Sequence, residues 1–200
     1  MPSFTIDETA RTSPLALWRY GHDYLRAARE LCDKHDIRCG ESQVPYHIAA
    51  QGIEFALLAF LRAKGAPMAD LRVQVSHSIA VALGQCQTLG MPALPAEWRP
   101  ALTELAACHR EAQFVYLEAP GEAPLKLESL ILAGVWMLDC SAPDIAAHYV
   151  LHQGSGNSPT VEDFVRRMRA DLVATVGATS ALAVDASGVP LAHADGRARA

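Results

Sequence analysis

The sequence predicts an all-α fold, and three observations carry that prediction. Residues 45–65, PYHIAAQGIEFALLAFLRAKG, place apolar side chains on nearly every side of a helix. The segments before and after repeat apolar residues at intervals of three and four. No credible alternating strand lies within residues 14–118. A helix apolar on most faces has to be buried by several others, so residues 14–118 read as an antiparallel four-helix bundle built around 45–65. Only His47, Gln51, Glu54 and Arg62 form a narrow polar strip on that central helix.

The elements follow in order. Residues 1–13 read as a flexible arm, ended by Ser13-Pro14, a serine cap followed by a proline suited to the first helical turn. From Leu15 to about His35, Trp18, Gly21, Leu25, Ala28 and Cys32 make an apolar stripe that Leu17, Tyr24 and Leu31 widen. Gly40 closes that segment, and Ser42 can cap the central helix. A third helix is expected over 71–88, with Val75, Ile79, Ala82, Leu83 and Cys86 on one face, broken by Gly90, Pro92 and Pro95. A fourth is expected over 97–117, with Trp98, Leu102, Leu105, His109, Ala112 and Tyr116 inward.

Beyond a turn-rich gap at 119–124, residues 125–176 read as appended helices. The first, 125–140, is almost wholly apolar. A shorter one begins at a capping-box-like Ser141 and Asp144, and a last one begins at Thr160 and Asp163. Residues 177–200 read as a flexible tail or a small hairpin.

The chain has 200 residues, half of them apolar and a fifth charged, which suits a soluble globular domain with a sizeable core. The longest uninterrupted apolar run, residues 130–138, has nine residues, against about 20 for a bilayer span. The N-terminus lacks the apolar core of a secretory signal. A cytoplasmic protein is the expectation. Five cysteines, an odd number on different segments, suit reduced thiols. A formal charge of -5 works against a broad phosphate-binding face. Arg166, Arg167 and Arg169 form the one dense basic cluster.

The string from Tyr46 to Leu57, YHIAAQGIEFAL, followed by Leu58-Ala59-Phe60-Leu61, resembles the second helix of HEPN domains. The similarity extends to Tyr24-Leu25-Arg26-Ala27-Ala28-Arg29 and to residues 71–79, and covers about residues 15–118. Leu58 stands where that family often has lysine, and Ser78 where aspartate often follows the histidine. The resemblance implies a small, usually dimeric all-α domain of the kind found in prokaryotic toxin–antitoxin and phage-defence systems and in partners of nucleotidyltransferases. Many members are metal-independent endoribonucleases carrying Arg-x4-6-His, and others only bind.

Arg72 and His77 fit that spacing, and so do Arg29 and His35. In the enzyme reading the imidazole moves a proton at a 2′-hydroxyl while the guanidinium holds the phosphate, with two copies meeting at a dimer axis. The plainer reading makes them a cap and a salt bridge at a helix start. Gln51 and Glu54 are candidate binding residues for a nucleotide, RNA or protein partner, or else a polar network that locks the bundle. His109 reads as a hydrogen-bonded core histidine. Cys32, His35 and Cys39 supply three ligand types, and His148 and His152 lie one turn apart, but a closed zinc site takes four ligands, so no metal and no cofactor are expected. The apolar excess of 125–138 and of the first helix points to a homodimer. The function expected is a HEPN-like dimeric binding module, with a metal-independent ribonuclease using Arg72 and His77 as the alternative.

Overall fold

A computed structural model describes residues 12–34, 42–74, 78–110, 126–152 and 160–176. These residues are mostly helical and contain no strand, so the all-α class stands. We number the helices α1 (Pro14–Lys34), α2 (Val44–Ala63), α3 (Met68–Gln74), α4 (Ile79–Thr88), α5 (Arg99–Arg110), α6 (Leu127–His152) and α7 (Val161–Val176), with a 3-10 turn at Ala96–Trp98 leading into α5.

Local chemistry sets most of the ends. Ser13 Oγ accepts from Ala16 N at 3.2 Å to cap α1, and Thr160 Oγ1 accepts from Asp163 N at 3.1 Å to cap α7. At α2 Ser42 acts one residue before the cap position. Its hydroxyl accepts from Val44 N at 3.3 Å, while Gln43 holds the cap position. Two helices end on left-handed glycines, Gly65 at φ 92° and Gly90 at φ 102°. In each, the residue after the glycine bonds back across the last turn: Ala66 N to Leu61 O at 3.0 Å and Met91 N to Cys86 O at 2.9 Å.

Three helices, α1, α2 and α6, form the centre. Gly21 on α1 and Gly52 on α2 let the backbones touch: a Cβ on Gly21 would lie 3.0 Å from Gly52 O and 3.2 Å from Ala56 N. The room left by Gly52 and by Gly134 on α6 is filled by one side chain, Leu25, which has no exposed surface. α6 is therefore a core element. The central helix finds its burial against α6, from the segment read as appended helices, as well as against α1. Leu130, Val135, Met137 and Leu138 are fully covered within the chain, which removes one of the two apolar surfaces offered above as reasons for a second copy.

Two further boundaries differ. The single helix expected over 71–88 is two, because Ser78 leaves the helical region at φ -121°, ψ 86° and caps α4 by accepting from Val81 N at 3.4 Å. Conversely, the two helices expected at 125–140 and 141–154 are one, since α6 runs through Ser141 and Pro143. Proline cannot donate to the carbonyl of Asp139, four residues back. One residue earlier, Leu138 O accepts from Trp18 Nε1 at 3.0 Å and from Ser141 Oγ at 2.9 Å. Ser141 thus serves inside the helix rather than starting it, and α1 is tied to α6 at this point.

By length and composition α2 and the Leu127–Leu151 part of α6 could each cross a membrane, and both are mostly buried inside the structure, as core helices are. The nine-residue run understated them because isolated small or polar residues interrupt longer apolar stretches.

The candidate site, a groove between α4 and α5

α4 and α5 run beside each other, joined by the Gly90 turn and residues 91–98, and enclose a cavity of about 650 Å³. That falls within the range of ligand pockets, roughly 300–1,000 Å³. Its walls are aliphatic: Ile79 and Leu83 from α4, Leu94 from the connection, Leu102 and Ala106 from α5. Ser78, Gln87, Arg99 and Thr103 add polar atoms around it. From Ser78 to Gln87 the wall spans nine residue steps, or about 13 Å at a helical rise of about 1.5 Å per step. Beneath it, the Cys86 thiol donates to Leu57 O at 3.5 Å and ties α4 to α2. Burial pushes that thiol up to about 12, so it stays neutral and is a poor nucleophile.

Gly84 faces this space from the middle of α4. No described atom lies within 4 Å of where its Cβ would be. A glycine inside a helix costs roughly 1 kcal/mol relative to alanine. Here the described protein makes no use of the space that glycine leaves. This is the signal sequence reasoning passed over: a glycine within the apolar stripe of 71–88 with no turn to make.

The residues singled out from sequence sit elsewhere. Arg72 belongs to the short helix α3, and its side chain, like His77, lies outside the described residues. Ser78, next in sequence after His77, lines the groove. Gln51 and Glu54 are on α2, half-buried rather than open to water, and neither side chain is free. Arg62, on the same strip, is spent on carbonyls, donating to Thr12 O at 3.2 Å and Ala66 O at 2.6 Å. The side chain of His109 is outside the described residues.

A second polar cluster joins α1, α6 and α7. His22 stacks on Trp18, with ring centroids 5.6 Å apart and planes 9° apart. Its Nε2 lies 2.6 Å from Thr175 Oγ1 and 3.2 Å from Asp171 O, and its Nδ1 lies 3.6 Å from Asp23. The arrangement ties α1 to α7: Thr175 Oγ1 also reaches Asp171 O at 3.3 Å, and which atoms donate depends on the imidazole tautomer. It is a clasp between helices. Nearby, Arg169 bonds Asp139 at 2.7 Å, and Arg166 pairs with Asp163 at 3.0 Å. The basic cluster read from the sequence is thus largely neutralised.

The cysteines need one correction. Cys32 is disulfide-bonded, whereas Cys86 and Cys140 are free. An odd total guarantees only one thiol left over, so the expectation of five reduced thiols does not hold. Cys32 is thereby withdrawn from the Cys32, His35, Cys39 set, and no group of three potential metal ligands occurs among the described residues. Cys140 is raised to about 12, first by burial and then by Asp139, with Arg169 opposing.

Comparison of the chain with protein-family models, curated proteins and solved structures finds no match.

Proposed function

We propose that this protein is a HEPN-like helical binding module that works by holding a partner, and that the α4–α5 groove is where it does so. The observation that supports this reading is the cavity of about 650 Å³ with an aliphatic wall and a glycine position that no described atom fills. A toxin–antitoxin or phage-defence setting follows from the resemblance alone, as does a homodimer. A dimer contact would draw on another surface than 125–138. Tyr20 and Tyr24, each about 40% exposed, meet Phe55 at 5.8 and 5.4 Å between centroids and form an aromatic face on α1 and α2.

The metal-independent ribonuclease remains the second reading, because His77 immediately precedes Ser78, which lines the groove, and Arg72 stands five residues before His77 in sequence. The two readings separate in one assay. Purified protein is incubated with varied RNA in EDTA, alongside His77→Ala and Arg72→Ala. A binding module leaves the RNA intact in all three. Cleavage by the wild type that both substitutions abolish, with helicity retained, would overturn the non-catalytic reading.

A further inference from the structure

We infer that the groove takes an unbranched aliphatic anion of the fatty-acid class, its chain lying along α4 and its carboxylate at Arg99. The inference rests on the groove being the binding site, as proposed above, and goes on to name what fills it.

The wall chemistry selects the body of the ligand. Ile79, Leu83, Leu94 and Leu102 present branched aliphatic surface, and no aromatic side chain lines the groove among the described residues. A nucleobase is ordinarily held by stacking on an aromatic ring, which this wall does not offer. The wall runs about 13 Å along α4, and Gly84 at mid-length lets a chain lie directly on the helix backbone.

The head group is selected by charge. Arg99 is the only charged residue lining the groove among those described. Its Nε donates to Leu94 O at 2.9 Å, which fixes the guanidinium at one end. Its terminal nitrogens make no hydrogen bond or ion pair among the described residues, so they can meet a carboxylate in the two-pronged way a guanidinium favours. A single fixed cation fits a monoanion better than a polyphosphate.

The test is isothermal titration of the full chain with sodium dodecanoate below its micellar concentration, with dodecyltrimethylammonium and AMP as parallel probes. Gly84→Leu and Arg99→Gln are measured beside the wild type. Gly84→Leu fills the groove from a position where the added Cβ meets no described atom within 4 Å, so its fold is expected to survive. Circular dichroism and the melting temperature check that. The expected result is that dodecanoate binds the wild type, the ammonium and AMP do not, Arg99→Gln weakens binding roughly ten-fold or more, and Gly84→Leu abolishes it. Equal binding of the ammonium, or no loss in Arg99→Gln, overturns the anionic assignment. AMP binding that Gly84→Leu abolishes, without dodecanoate binding, overturns the aliphatic ligand and leaves the groove standing. No binding of any probe, or binding indifferent to Gly84→Leu, overturns both.

Discussion

Gly134→Ala is expected to destabilise the protein by about 1–3 kcal/mol, the usual cost of forcing volume into a filled core. The added methyl would lie 2.7 and 2.8 Å from the two terminal carbons of Leu25 and 3.1 Å from Ile53 Cγ1. Leu25 cannot swing aside, because Gly52 on the opposite helix holds it as closely: a Cβ there would lie 2.8 Å from Leu25 Cγ. Leu25→Ala alone should cost about 2–5 kcal/mol through the cavity it leaves. The combination is the informative variant. In Gly134→Ala/Leu25→Ala the new methyl enters the vacated space, so the two penalties should fall short of their sum by about 1 kcal/mol or more. Urea unfolding of the wild type and the three variants measures this. Simple additivity would mean that α1, α2 and α6 do not meet at Leu25.

The second large effect is expected at Trp18. Trp18→Ala should cost about 3–5 kcal/mol, as for any large buried aromatic. Trp18 is 2% exposed, stacks on His22 and donates to Leu138 O. Trp18→Phe keeps a ring and removes the donor, and should cost about 1–2 kcal/mol from the lost hydrogen bond and the smaller side chain. Leu138 O retains Ser141 as a donor, which limits the penalty. Melting curves of both variants decide it. A Trp18→Phe protein as unstable as Trp18→Ala would show that the indole N–H, and not the ring volume, holds α1 to α6.

These two positions also show what could be read from the chain. Trp18, Gly21, Leu25 and Ala28 were visible as one stripe because helical periodicity is a local property, and the structure buries all four. The partner of the stripe was not visible. That α6 supplies Gly134 depends on contacts more than a hundred residues apart, for which a single sequence carries no periodic signal. Ser141 misled for a related reason: serine followed three residues later by an acid marks a helix start, yet the same serine can bond a carbonyl inside a helix when the neighbours bury it. Asp144 was likewise read as half of a cap, whereas it receives Lys64 Nζ at 2.8 Å from the end of α2. The groove was harder still. Leu83 and Leu102 were correctly taken as apolar face residues, but apolar spacing does not say whether the space opposite is filled. Gly84 was the clue, and its meaning appears only when the neighbouring helix is in place.

The central claim is that partners are held between α4 and α5 rather than on the polar strip of α2. Backbone amide shifts of isotope-labelled protein, followed by NMR as dodecanoate is added, test it residue by residue. The account predicts the largest shifts at Leu83, Gly84, Gln87, Leu102 and Ala106, with Gln51 and Glu54 nearly still. Shifts concentrated at Gln51 and Glu54, with Gly84 and Leu102 unmoved, would contradict it.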